Sequence, residues 1–284
     1  MQWLQNLNDA LTYIENNLDG EISYEKAARL GGCSTYHFQR MFAYVSGVPL
    51  SEYIRRRRLT KAAFDLQRGD KVLEVALRYG YESPTSFNRA FCNLHGMVPS
   101  LARKQGSALK AYPRMTFSMT IKGDQEMDYR IEKKEAFRTI GVKLSLEKDS
   151  DSSFEKIPHF WAQKQQDGTI AKLCSMMGEK PEGLFGICSS QEKLWQWNYY
   201  IAVTSSGTAP QGFESYTVPA ATWAVFPSRG PMPQAIQNLQ KQIMSEWLPT
   251  SNYELGTAPD IEVYLSEDPS DQSFEVWLPI EAKG

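Results

Sequence analysis

The stretch Glu25-Lys-Ala-Ala-Arg-Leu-Gly31 returns forty-nine residues later as Glu74-Val-Ala-Leu-Arg-Tyr-Gly80. The same offset sets Ser34 against Ser83, Phe38 against Phe87, Arg40 against Arg89, Phe42 against Phe91 and Gly47 against Gly96, and Pro49 and Pro99 close the copies one register apart. An internal repeat constrains a fold strongly, because both copies must build the same supersecondary unit. Each copy reads as helix, glycine turn, helix. In the first, Ser23 caps a helix ending at Leu30, Gly31-Gly32 turns the chain, and Ser34 caps a second helix with an apolar stripe of Phe38, Met41 and Phe42. In the second, Val72, Val75 and Ala76 face inward, Gly80 turns, and Ser83-Pro84 is an N-cap followed by proline at the first helical position. Both are helix-turn-helix patterns.

Between the copies, Ser51 to Arg68 contains no helix breaker before Gly69, so a continuous connector helix sets the spacing of the two units. Two second helices held by a rigid connector can enter successive major grooves, which lie about 34 Å apart on one face of DNA. A preceding helix with Leu4, Leu7, Leu11, Ile14 and Leu18 on one stripe packs under the first unit. Charge agrees with this division. The whole chain carries a formal net charge of -2, but residues 1–110 hold 15 Lys/Arg against 10 Asp/Glu, leaving the remainder acidic. A basic part joined to an acidic one suggests a nucleic-acid-binding region attached to something else. Not all basic residues serve it: Arg55 to Arg58 span a full helical turn, so no more than half can face DNA.

From about Leu4 to Lys104 the sequence resembles the AraC/XylS DNA-binding domain, most closely in Tyr53-Ile-Arg-Arg-Arg-Arg-Leu-Thr-Lys-Ala-Ala63 and Ala76-Leu-Arg-Tyr-Gly-Tyr-Glu-Ser-Pro-Thr-Ser-Phe-Asn-Arg-Ala-Phe91. That resemblance implies base-facing positions at Thr35, Tyr36, Gln39 and Arg40 in the first unit, and at Thr85, Asn88 and Arg89 in the second. Arginine pairs with guanine, and glutamine or asparagine with adenine. The chain departs from the family after Pro99, where Ala102-Arg103-Lys104 lacks the usual aromatic before the basic pair.

Beyond a linker expected over residues 107–126, in which Phe117, Met119 and Ile121 alternate like a short strand, the patterns change. A strand over Tyr129–Val142, a helix carrying Ile157, Phe160 and Trp161, and strands near Phe185–Cys188 and Trp195–Val203 are followed by a second set. This set comprises a strand over Tyr216–Phe226, a helical stripe of Ala235, Ile236, Leu239, Ile243 and Trp247, and strands over Ile261–Leu265 and Phe274–Ile280. Strand, helix, strand, strand thus occurs twice. The expected architecture is multidomain: an all-α N-terminal domain (1–106), then an α+β C-terminal domain (127–284) of two pseudo-repeated halves whose junction offers a cleft.

Glu262 and Glu275 each interrupt an apolar run, where a charge is costly unless a cation or hydrogen bonds offset it. Trp195, Trp197, Tyr199, Trp223, Tyr264 and Trp277 lie near them in sequence or expected pairing, and Trp161 joins from the helix. Such aromatics suit a planar or cationic amphiphile. With Glu246-Trp-Leu-Pro249, Asp260-Ile-Glu-Val-Tyr264 and Glu275-Val-Trp-Leu-Pro-Ile280, residues 127–282 resemble the GyrI-like ligand-binding domain. The resemblance makes Glu262 the first ligand anchor, with Tyr199 opposite and Glu275 behind it; Trp161, Trp197, Trp223 and Tyr264 complete the candidate set.

The two resemblances together imply a transcriptional regulator that senses a hydrophobic or cationic small molecule and binds a bipartite DNA site as a monomer or weak dimer. RNA polymerase is a further candidate partner. Two alternatives stay open: a hydrolase using Glu262 and Tyr199, and a C-terminal domain that binds only proteins. No cofactor, catalytic residue or metal is expected, since the three histidines and four cysteines show no ligand spacing. Scattered cysteines, no apolar segment of spanning length and no signal-like start place the chain in a cytoplasm.

Overall fold

A computed structural model describes residues 2–104, 106–118, 126–146, 153–178, 180–191, 196–265 and 270–283. The chain divides into two compact units, with the main division between Thr120 and Ile121. The first is helical: α1 (Gln2–Asn16), α2 (Tyr24–Leu30), α3 (Thr35–Ser46), α4 (Leu50–Gln67), α5 (Val72–Arg78), α6 (Pro84–His95) and α7 (Pro99–Ala102). The repeat is realised as two helix-turn-helix units, α2–α3 and α5–α6, joined by α4. Ser23 Oγ accepts the Lys26 amide at 3.2 Å and Ser83 Oγ the Ser86 amide at 3.1 Å, so both cap positions hold. Asp70 pairs with Arg78 at 2.8 Å, and Lys71 is the N-cap residue of α5. Leu59, Leu66, Val75, Ala76, Phe87 and Phe91 form the core around the second unit.

Arg55 to Arg58 are all engaged within the unit. Arg55 and Arg56 both bond Glu52, Arg57 grips Glu15 with two bonds of 2.8 Å, and Arg58 donates to the Leu18 and Gly20 carbonyls. The start of the stretch expected as linker is likewise bonded. The Lys110 amide donates to His95 Nδ1 (3.3 Å), the Tyr112 amide to Thr60 Oγ1 (3.1 Å), the Met115 amide to the Tyr53 hydroxyl (3.3 Å), and Phe117 exchanges two bonds with Asn8. Extended backbone carries unpaired amides, and the polar side chains of α1, α4 and α6 satisfy them. The alternation proposed at Phe117 does not form a strand, and its continuation at Met119 and Ile121 lies outside the described residues.

The second unit contains β1 (Arg130–Lys134), β2 (Phe137–Leu146), α8 (Ser153–Gln166), α9 (Thr169–Ser175), β3 (Leu184–Gln191), β4 (Gln196–Thr204), β5 (Glu214–Val218), β6 (Ala221–Gly230), α10 (Gln234–Gln242), a π-helical segment (Ile243–Trp247), α11 (Leu248–Thr250), β7 (Tyr253–Leu255), β8 (Asp260–Tyr264) and β9 (Gln272–Ala282). The sheet order is β1-β6-β9-β8-β3-β4-β2-β5, with β7 beside β9, and every pairing is antiparallel.

The halves are β2-α8-β3-β4 and β6-α10-β8-β9, meeting where β3 pairs with β8. Two expected single strands each divide in two. Tyr129–Val142 breaks after Lys134 because β1 pairs with β6 of the other half, while β2 pairs with β4 and β5; Tyr216–Phe226 breaks at Pro219 because β5 joins β2 at one edge while β6 lies between β1 and β9 in the other half. Each half therefore lends an edge strand to the other. α8 packs on β2, α9 on β4, and α10 on β6 and β9.

Candidate functional site

Strand register determines which side chains share a face, since successive residues alternate. Glu262 lies opposite Gly186 of β3, which lies opposite Ile201 of β4; Tyr199 stands one pleat along, opposite Cys188. Glu262, Tyr264, Tyr199 and Trp197 therefore share one face, and α8 and α10 send side chains down onto it. Tyr199 Oη donates to Glu262 Oε2 at 2.9 Å, Tyr264 Oη donates to the same oxygen at 3.1 Å, and Gln240 Nε2 donates to Oε1 at 2.9 Å. From α8, Trp161 Nε1 donates to the Tyr199 oxygen at 2.8 Å, and its ring meets Tyr264 edge-on with centroids 4.9 Å apart. Burial, then the Glu262 charge, pushes both tyrosines well above the ordinary phenol range, so both hold their protons.

The cluster spans the junction of the halves: Trp161, Gly186 and Tyr199 come from the first, Gln240, Glu262 and Tyr264 from the second. Of the ligand set read from the sequence, Glu262, Tyr199, Tyr264 and Trp161 are brought together. Trp197 is buried on the same face, opposite Leu146 and Ser190. Trp195 lies outside the described residues.

Trp223 and Glu275 are not in this cluster, because alternation puts them on the opposite face. There Trp223 is fully buried with Trp277, Phe185 and Ile261, and its indole N–H donates to the Pro259 carbonyl at 3.3 Å. Glu275 accepts from Arg130 at 2.8 Å and from the Trp277 indole at 2.7 Å, which neutralises it in place. The apolar run around Glu275 gave no sign of Arg130, whose strand arrives from the other half.

Sequence reasoning missed two members. Gln240 is buried on the inner face of α10, four residues after Ile236, and a polar residue within an apolar stripe was the available signal. Gly186 sits inside a strand, where glycine marks a close approach. A Cβ there would lie 2.2 Å from Tyr199 Oη and 2.8 Å from Glu262 Oε2. The phenol thus occupies the space that any larger residue would fill.

In the helical unit, Thr85, Asn88 and Arg89 are exposed on α6, while Phe87, Phe91 and Leu94 face the core. Spacings of three and four residues place the three polar groups on one face. On α3, Thr35 and Arg40 are half-buried, and the Tyr36 side chain lies outside the described residues. Gln39 requires correction: it is 4% exposed, and a buried amide does not reach a base edge in this conformation.

Residues 130–280 match the family of integron-associated effector binding proteins, and residues 27–105 match a helix-turn-helix domain family. The transcriptional activator AarP of Providencia stuartii is 40% identical over 98 residues, covering 34% of this chain and 73% of AarP. The chain belongs to the AraC-type transcriptional regulators with a C-terminal effector-binding domain. This regulator is also similar to the right origin-binding protein of Escherichia coli, 33% identical over 163 residues and covering 55% of each chain. The solved structure of SAV2435 bound to tetraphenylphosphonium covers 55% of the regulator and 94% of that chain, at 23% identity and a TM-score of 0.50, a likeness of fold. Among the described residues no group of acidic, histidine and cysteine side chains is arranged to hold a metal, and no helix is long and apolar enough to cross a membrane. The four cysteines form no disulfide, and Cys33 lies in the turn between α2 and α3.

Proposed function

We propose that the effector is a hydrophobic cation, bound against Glu262 among Tyr199, Tyr264 and Trp161, and that it changes how the helix-turn-helix units engage a bipartite DNA site. One observation carries this reading: a carboxylate walled by aromatic rings and assembled from both halves at their junction. Charge and ring quadrupole act on the same ligand, and their effect grows as water is excluded. SAV2435, which shares the fold of this unit, holds a cation of that kind. The effector acts on DNA binding only to the extent that it prefers one conformation of the regulator.

The expected test is tetraphenylphosphonium titration of the intact chain, followed by tryptophan quenching. Saturable binding weakened at least tenfold in Glu262→Gln, about 1.4 kcal/mol, supports the reading; quenching indifferent to the substitution overturns it.

The same geometry argues against hydrolysis. A tyrosine nucleophile must lose its proton, whereas burial and the Glu262 charge hold Tyr199 protonated. Glu262 accepts from three donors, which hold it as a hydrogen-bonded carboxylate.

For DNA, we assign base reading in the second unit to Thr85, Asn88 and Arg89. Arg89 is exposed and has no ion-pair partner among the described residues, so its guanidinium is available to a guanine edge. Arg89→Ala is expected to weaken specific binding by about 1–3 kcal/mol in a gel-shift titration. Equal loss on random DNA would make Arg89 a phosphate contact instead. Two reading units in one chain let a monomer occupy both half-sites.

A further inference from the structure

The hydrogen-bond inventory around Glu262 determines more than an attraction for positive charge. A carboxylate offers about four lone-pair sites. Oε2 accepts from both Tyr199 and Tyr264, and Oε1 accepts from Gln240. The Tyr199 oxygen receives the Trp161 N–H, so its own proton is directed to Glu262. Each of these three groups is a donor, and together they use most of the carboxylate's accepting capacity.

This saturation separates two kinds of cation. A primary ammonium gives up three hydrogen bonds to water on entering and finds at most one carboxylate lone pair in exchange; its remaining N–H groups would be buried unpaired. A quaternary ammonium or phosphonium has no N–H to satisfy. It loses only diffuse hydration and keeps the full Coulomb and cation-π attraction of the cluster. Gln240 is the decisive partner because its amide donates to Oε1. It is buried on α10 with its amide N–H₂ turned to the carboxylate, and it adds a donor without adding charge.

We propose that Gln240 is a specificity-determining residue that makes the site select cations lacking N–H donors, by consuming the carboxylate lone pair that a primary ammonium would need. The proposal rests on the cation reading of the Glu262 site and deepens it. Leucine at 240 has nearly the same size and no donor, so it would return that lone pair without changing the charge of the site.

The test compares 4-phenylbutyltrimethylammonium with 4-phenylbutylammonium, which share an apolar body and a single charge and differ in N–H content. Both are titrated calorimetrically into the intact regulator, into Gln240→Leu, and into Gln240→Met as a second variant should leucine disturb the helix; circular dichroism verifies the fold of each. The native chain is expected to bind the trimethyl cation at least tenfold more tightly. A folded variant is expected to narrow that preference at least fivefold, by binding the primary ammonium more tightly than the native chain does. Equal affinity of the native chain for both cations overturns the role of Gln240 and leaves the cation site standing. A selectivity unchanged in both folded variants does the same. Binding of neither cation overturns the cation reading and this inference with it.

Discussion

Replacing Gly186 with alanine is expected to remove effector binding while leaving the helical unit intact. The added Cβ would fall 2.2 Å from Tyr199 Oη and 2.8 Å from Glu262 Oε2, well inside van der Waals contact. Tyr199 is 1% exposed and lies across the sheet, so its ring has little space in which to retreat. Forcing the phenol away breaks its bond to Glu262 and takes the Trp161 N–H with it. Overpacking of this kind costs about 1–3 kcal/mol of stability. The larger consequence is functional: with the aromatic cluster displaced, tetraphenylphosphonium affinity should fall at least tenfold, or about 1.4 kcal/mol. Calorimetric titration beside a thermal melt separates the two effects. Native affinity in Gly186→Ala would show that Tyr199 is not part of the binding surface.

The second large effect lies in the helical unit. Glu15 of α1 is 5% exposed and accepts Nε and Nη2 of Arg57, each at 2.8 Å, together with the Tyr53 hydroxyl at 2.7 Å. The same Tyr53 oxygen receives the Met115 amide, and Arg57 also donates to the Tyr112 carbonyl, so one buried carboxylate ties α1 to α4 and to the segment after α7. Glu15→Ala leaves Arg57 and Tyr53 without their principal acceptor. Breaking a buried pair from one side costs about 3–5 kcal/mol, a large share of a domain's stability. The change should appear as a lowered unfolding transition of the helical unit in differential scanning calorimetry, with a smaller loss for Glu15→Gln, which keeps an acceptor oxygen. A transition shifted by no more than that of an exposed control such as Glu25→Ala would show the pair to be dispensable.

The pH dependence of this unit has the corresponding sign. Burial acts to raise the Glu15 carboxyl, but hydrogen bonds from Arg57 and Tyr53 and the charges of Arg57 and Lys61 outweigh it, holding the group below the ordinary carboxylate range. The unfolded chain therefore binds this proton more readily than the folded one. The resulting stability is fully present above the unfolded carboxyl value and is lost as pH falls through the folded one.

Local structure was legible wherever a short-range cause sets it. Ser23 and Ser83 cap helices because a hydroxyl three residues from an amide needs no distant partner. The helix-turn-helix repeat, the polar face of α6 and the doubled strand-helix-strand-strand order follow from patterns within about fifteen residues. The four arginines of α4 show where such reading stops. Helical geometry allowed no more than half of the run to face DNA; Arg55 and Arg56 bond Glu52 one turn away, but the acceptors of Arg57 and Arg58, Glu15, the Leu18 carbonyl and the Tyr112 carbonyl, are far away in sequence. Gln39 illustrates the same limit: the family resemblance implied a base-facing position, but not what covers it.

The amino-acid sequence by itself determined the two-unit organisation, the type of each main element and the choice of Glu262 and Tyr199 as partners, because periodicity, turn residues and family motifs are local. Tertiary structure alone decided which aromatics stand beside the carboxylate. Trp223 and Glu275 belonged to the same candidate set, with Glu275 placed behind Glu262, until the register of β6, β8 and β9 put them on the opposite face. A one-residue slip in pairing reverses every side chain of a strand, and register depends on contacts between distant segments. Gln240, Gly186 and Trp161 come together around Glu262 for the same reason: three elements, from two halves of one sheet, meet where the pairing of β3 with β8 sets Gly186 opposite Glu262.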